Sequence, residues 1–301
     1  MKPVDYVIPY VNCADPNWQD LYRKSVHTEF PAQRFRDNGT LRYQLRGIEA
    51  NLPWVNRVLL IVQSESQIPE WLNISSPKLR IVLHEDYIPE PYLPTFKSSN
   101  IELHVDRISD LSDNFILGND DMIPIRYQPI DNYFIDDRPV QVKYYNESPI
   151  LPSNIGTMKF KEYRMMVLER FHIGDPSFPG LRHFHLLIPY SKPFWSSVIQ
   201  QYRYTFNASF TEKNGRGFLD INHWLISDLQ VLTGVSVVNN DLNVNGYIGM
   251  HDDVTDDYIK SVISRSNTIC MNDKAESNVA VLDKIPTILN RLLPSKSSFE
   301  L

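Results

Sequence analysis

Short, β-branched apolar runs recur through the first part of the chain: Val4–Val11 (VDYVIPYV), Arg57–Gln63 (RVLLIVQ), Leu79–His84 (LRIVLH) and Asn114–Gly118 (NFILG). Nearly continuous runs of this length read as strands buried on both faces, the mark of a mostly parallel sheet. A different spacing lies between the first two. Leu41, Leu45, Ile48 and Leu52 recur at i, i+4, i+7 and i+11, with Arg42, Arg46 and Glu49 off that stripe. This predicts an amphipathic helix over Thr40–Asn51. A polar loop, Asn12–Pro16, is expected after the first strand, and a second helix over Ser99–Ile108. The order strand, helix, strand, strand, helix, strand predicts an α/β fold with a Rossmann-like, mostly parallel sheet.

After about residue 150 the spacing turns helical, over Phe160–Phe171, Pro193–Tyr204, Asp220–Leu232, Asp253–Ser264 and a last helix broken near Pro286. No clean linker separates the halves. Residues 1–301 therefore read as one domain, an α/β half over 1–150 completed by an α-rich half over 151–301. Hydrophobic residues at 42% and charged residues at 22% are ordinary globular usage, sufficient for a core without staples. Two cysteines, Cys13 and Cys270, exclude a disulfide framework. The net charge of −6 argues against broad nucleic-acid binding but leaves room for a local basic pocket. No apolar run approaches the ~20 residues of a membrane-spanning helix, so neither a secretory nor a membrane segment is expected.

Asn119-Asp120-Asp121 follows the apolar run Phe115–Leu117 and Gly118. Ligands of parallel α/β sheets bind outside the carboxyl ends of the strands. Paired acids there suit a divalent cation bridging phosphate oxygens, although an Asn-Asp-Asp turn or helix cap fits the same residues. Ile269-Cys270-Met271-Asn272-Asp273 is a second apolar strand ending in Asn-Asp, so acids from both could converge on one metal. Arg34, Arg36, Arg42 and Arg46 surround an Asn38-Gly39 turn that opens the Thr40–Asn51 helix. Helix amides and arginines make a phosphate cradle; a solvated basic face paired with Asp37 and Glu49 is the plainer reading. His183 and His185 lie in an expected buried strand, where structural histidines are the commoner case. Arg216 stands four residues before Asp220, which also fits a helix-start ion pair.

These segments together resemble the Stealth family of sugar-phosphate transferases, which includes bacterial capsule and exopolysaccharide phosphotransferases. The catalytic subunit of the animal enzyme that adds N-acetylglucosamine-1-phosphate to lysosomal glycoproteins belongs to it too. Its first conserved region resembles Val4–Trp18, its second Arg34–Phe134, with RFRDNGTLRYQLRGIE, LPTFKSSNIE and FILGNDDM. The third resembles His183–Leu232 and the fourth Ile269–Lys274 (ICMNDK), with a family-like tail at Pro294–Leu301. Two departures stand out. The third region usually has a histidine two residues before a proline, where this chain has Leu187 and its nearest histidine is His185. Cys13 replaces a usual glycine.

The resemblance implies a single catalytic domain with a GT-A-like sheet. It implies transfer of a hexose- or N-acetylhexosamine-1-phosphate from a UDP-sugar to an acceptor glycan or lipid-linked oligosaccharide, with release of UMP. It assigns Asp121 and Asp273 to Mg²⁺ or Mn²⁺, and Asn12, Arg36, Asn38, Arg42 and Asn119 to the donor. Asp120 or His185 would take the hydroxyl proton, and Arg216 would hold phosphate oxygens. A cytoplasmic location, peripheral to the inner face of the membrane, is expected. Two alternatives remain: a glycosyltransferase that releases UDP, and a non-catalytic carbohydrate-binding module whose aromatics stack on sugars.

Overall fold

A computed structural model describes residues 1–26, 35–142, 187–211, 221–239, 245–273 and 279–301. Tyr6 and Ile8 point to one side of the first strand, β1 (Val4–Pro9), and Val7 to the other, and all three are fully buried. Strands β2 (Arg57–Val62) and β4 (Asn114–Leu117) are built alike, while β3 (Leu79–Leu83), at the sheet edge, is fully buried only at Val82. Together with β8 (Ile188–Ser191) they form a five-stranded sheet in the order β3-β2-β1-β4-β8. The first four strands run parallel, with Val7 opposite both Leu59 and Leu117, and β8 is antiparallel to β4. This is the expected α/β, mostly parallel arrangement, closed at one edge by a strand from the second half of the chain.

The alternation of side chains divides the core. Tyr6, Ile8, Val58, Leu60 and Ile116 pack with Leu41, Leu45 and Ile48 of helix α2 (Thr40–Asn51), whose bounds match the expectation. Val7, Leu59, Ile61, Phe115 and Leu117 pack on the other side with Leu103, Trp195, Phe206 and Leu229. The segment Leu93–Glu102 ties that side together. Lys97 is buried and donates to Ser209 O at 3.2 Å, and Asn100 donates to Phe210 O at 3.2 Å.

A second sheet stands on the far side of α2. Strand β5 (Met122–Pro124) directly follows the acidic turn and pairs antiparallel with β11 (Thr268–Asp273), which pairs parallel with β10 (Asn245–Met250). Helix α2 lies so close to β5 that a Cβ on Gly47 would collide with the Pro124 carbonyl oxygen. A small third sheet joins β6 (Phe134–Ile135), β7 (Arg138–Gln141) and β9 (Val237–Val238).

Several expected elements are redrawn. The loop read at Asn12–Pro16 leads into a helix, α1 (Pro16–Val26): Pro16 has the preset φ of a first helical position, and Asp15 accepts from Asn17 N at 2.9 Å. Ser99–Ile108 is a short helix, Ser98–Leu103, and then a separate turn at Val105–Arg107. The His104 ring between them is tied to Asn100 O at 2.7 Å. Pro193–Tyr204 becomes two helices, Lys192–Gln201 and Arg203–Phe210, parted at Tyr202. The next two expected helices run Trp224–Leu232 and Asp256–Arg265, the latter capped by Thr255, and the last is split into Val279–Leu282 and Lys284–Leu292. Phe160–Phe171 lies outside the described residues. Among those described, no helix is long and apolar enough to cross a membrane.

The α2–β5 contact yields a stability prediction. In an open helix, alanine is favoured over glycine by about 1 kcal/mol. At position 47 the sign reverses, because the added methyl has no room. Gly47→Ala should lower the unfolding free energy by about 1–3 kcal/mol. Chemical denaturation checks this, and a variant as stable as the parent or more so would contradict the packing.

Candidate active site

The carboxyl end of β1 runs into a loop fastened from below. Buried Gln67 accepts from Asn12 N at 2.7 Å and donates to Asn12 O at 3.1 Å and to Asp15 Oδ2 at 2.7 Å. The Asn12 side chain accepts from Ala14 N at 3.0 Å, which folds the loop on itself. Across the sheet, β4 runs into Gly118, where a Cβ would strike the Tyr6 hydroxyl. This absence of a side chain lets the strand pass over Tyr6 and deliver Asn119-Asp120-Asp121 to the same edge. Gln44 Nε2 of α2 donates to Asn119 O at 2.7 Å and to Tyr6 Oη at 3.1 Å. The turn closes with Met122 N donating to Asn119 O at 3.1 Å.

The segment before α2 forms the third wall. Phe35 packs edge-on against Trp18 of α1, with centroids 5.0 Å apart, and so anchors the loop that carries Arg36. Asp37 Oδ1 accepts from Gly39 N at 2.7 Å and Oδ2 from Tyr10 Oη at 2.7 Å. The carboxyl end of β11 supplies the fourth wall. Arg36 Nη1 lies 3.1 Å from Asp273 Oδ2.

Carboxylates outnumber cations in this cluster. Asp120 is pushed well above the ordinary carboxylate range, first by burial and then by Asp121 and Asp37. The Tyr10 phenol is raised by burial and by Asp37. Asp121 Oδ2 accepts from Cys270 Sγ at 3.1 Å and from Asn272 Nδ2 at 3.3 Å. Burial and Asp121 push the Cys270 thiol far up, so it remains a donor. The Asp121 Oδ1 atom and both carboxylate oxygens of Asp273 are buried without a hydrogen-bond partner among the described residues. Such oxygens are costly unless a cation takes them. Among those residues, no group of three His, Cys, Asp or Glu side chains forms a ready metal nest. One or two carboxylates suffice where ligand phosphates complete the shell.

The structure thus brings Asn119, Asp120, Asp121, Arg36 and Asp273 to one sheet edge, with Asn12 and Asn38 in its flanking loops. It does not bring Arg42 there. Its guanidinium lies 3.6 Å from Glu300 Oε2 and over the Trp71 ring at 4.7 Å. Arg42 and Arg46 share the α2 face that meets the C-terminal segment, whereas Gln44, about 200° round the helix from Arg42, faces Asn119. His185 and Arg216 lie outside the described residues. Sequence reasoning gave no site role to Tyr10, Gln44, Cys270 or Asn272, and read Asp37 only as an ion-pair partner of the basic face. Asp37-Asn38-Gly39 carried a usable signal, since Asp two residues before a backbone N–H is the pattern of an Asx turn.

A mostly parallel α/β sheet with acids, an arginine and a helix start at the carboxyl ends of its strands defines a class of nucleotide- and phosphate-binding folds. The model for Stealth protein CR2, conserved region 2, matches residues 34–142. The chain is 29% identical to capsular polysaccharide phosphotransferase WcwK of Streptococcus pneumoniae, covering 100% of this chain and 98% of that one. Receptor polysaccharide phosphotransferase WefC of Streptococcus oralis is 29% identical over 100% of both. Capsular polysaccharide phosphotransferase CpsJ of Streptococcus thermophilus reaches 39% over 47% of this chain and 62% of its own. Over residues 34–142 the chain thus carries the second conserved region of the Stealth proteins. A solved structure of the galactosyltransferase LgtC, with donor and acceptor sugar analogues, covers 98% of both chains at 12% identity and a TM-score of 0.45.

Gln44 is the testable link between helix and site. Gln44→Leu keeps the bulk and removes the donor, leaving the Asn119 carbonyl with one hydrogen bond fewer. A loss of about 1–3 kcal/mol in unfolding free energy is expected. An unchanged denaturation midpoint would show that the acidic turn stands without the helix.

Proposed function

We propose that the protein transfers a sugar-1-phosphate from a UDP-sugar to a hydroxyl of an acceptor glycan or lipid-linked oligosaccharide, in the synthesis of cell-surface polysaccharide. The observation that carries this is the buried Asp121 Oδ1, which has no hydrogen-bond partner among the described residues, in an acid cluster where Arg36 pairs with Asp273. Full-length similarity to the streptococcal phosphotransferases supports the same reading.

The acceptor oxygen bonds to the sugar-side phosphorus, and the bond from that phosphorus to the bridging oxygen breaks. UMP leaves with the bridging oxygen. The sugar C1–O bond stays intact, so the anomeric configuration is retained. The residues fit a divalent cation, Mg²⁺ or Mn²⁺, held by Asp121 and Asp273, which when bound neutralises diphosphate charge. Arg36, and Arg216 of the third conserved region, hold phosphate oxygens through planar guanidinium groups. Asn12, Asn38 and Asn119 line the donor side. Asp120, beside Asp121 at the same strand end, accepts the hydroxyl proton, a role in which it acts as the ionised carboxylate. His185 is the other candidate for that role. In this reading the enzyme works in the cytoplasm, peripheral to the inner face of the membrane.

A phosphorus-31 spectrum of the reaction with a panel of UDP-sugars tests the proposal. UMP and a new phosphodiester resonance on the acceptor are expected. UDP formed in step with transfer, and a product free of phosphorus, would make the protein a glycosyltransferase instead.

A further inference from the structure

The two oxygens of Asp121 are treated differently by the fold. Oδ2 receives two donors from one strand, Cys270 Sγ at 3.1 Å and Asn272 Nδ2 at 3.3 Å. Residues 270 and 272 are two apart on β11, so the pleat turns both toward Asp121. The Asn272 amide has its own orienting partner, since Tyr247 Oη donates to Asn272 Oδ1 at 3.2 Å from the neighbouring strand β10. That bond sets which end of the amide faces the carboxylate. The backbone of Asp121 is held as well, with Met271 N donating to its carbonyl at 3.3 Å. Oδ1, by contrast, is buried and has no hydrogen-bond partner among the described residues.

We propose that Cys270 and Asn272, the latter held by Tyr247, are positioning residues that lock Asp121 as a one-oxygen ligand and thereby favour a small octahedral cation over Ca²⁺. The inference rests on the proposed cation at Asp121. With Oδ2 engaged by two donors, the carboxylate cannot turn both oxygens to one ion without breaking those bonds. Mg²⁺-sized ions take a single carboxylate oxygen in near-octahedral geometry, whereas Ca²⁺ accepts two-oxygen carboxylates and higher coordination numbers. Orienting hydrogen bonds behind a ligand are commonly worth 10–100-fold in metal affinity.

The test is a Mn²⁺ titration followed by electron paramagnetic resonance on the full chain with saturating UDP, repeated in competition with Ca²⁺. No turnover is needed. Cys270→Ala and Asn272→Ala should each weaken Mn²⁺ binding by about ten-fold or more. They should also narrow the preference for Mn²⁺ over Ca²⁺, because the freed carboxylate can bind with both oxygens. Cys270→Ser keeps a donor and should stay nearer the parent in both measures. Circular dichroism and thermal melts establish that each variant is folded, and Tyr247→Phe supplies a second, gentler perturbation of the Asn272 arm. Parental Mn²⁺ affinity and an unchanged Mn²⁺/Ca²⁺ ratio in folded Cys270→Ala and Asn272→Ala would overturn the positioning role and leave the transfer reaction standing. Absence of Mn²⁺ binding by the parent would overturn it too. UDP in place of UMP as the transfer product would overturn the reaction and leave the positioning role intact.

Discussion

Helix α2 is clamped between two sheets, and the site depends on that clamp. On one side Leu41, Leu45 and Ile48 close the main core. On the other, Gly47 lets the helix press onto β5 at Pro124. Between these contacts Gln44 donates to the carbonyl of Asn119. The acidic turn sits between β4 in the first sheet and β5 in the second, so any shift of α2 would move Asp120 and Asp121. The C-terminal segment braces the helix from behind: Arg46 pairs with both oxygens of Glu300 and donates to Leu293 O, and Ser298 bonds to Glu49.

Electrostatics explain why such bracing is needed. Asp37, Asp120, Asp121 and Asp273 face a single described arginine of the cluster, Arg36, and Asp120 responds by holding its proton far above the ordinary range. Like charges at close range push loops apart unless the backbone beneath them is fixed. Gln67 under Asn12, Tyr6 under Gly118 and the Asx turn at Asp37 fix it at separate points. The fold therefore keeps an acid excess in place that a divalent cation would offset.

Much of the frame was legible in the amino-acid sequence. The stripe Leu41–Leu52 gave α2 its bounds, and the runs 57–63, 79–84 and 114–118 gave the parallel strands, because periodicity reports burial directly. Strand β10 was not legible: Asn245-Gly246-Tyr247-Ile248-Gly249-Met250 has two glycines and no β-branched run, and it exists through pairing with β11. The way β11 faces the site was not legible either, for a related reason. Asn-Asp at a strand end marks a site, but only the pairing of β11 with β5 sets the phase of the pleat. That phase turns Cys270 and Asn272 to Asp121 and leaves Asp273 to Arg36. Arg42 was drawn to the donor by proximity in sequence, and helix geometry sends it to Glu300 and Trp71 instead.

The central claim is that the acid cluster at the carboxyl edge of the main sheet is a cation and diphosphate site. Crystals grown with Mn²⁺ and UDP, measured at the manganese absorption edge, test it most directly. The account predicts an anomalous peak beside Asp121 Oδ1, with the diphosphate reaching toward Arg36. A peak confined to the exposed acids at the start of the Asp256–Arg265 helix, or UDP bound elsewhere with no peak at Asp121, would contradict it.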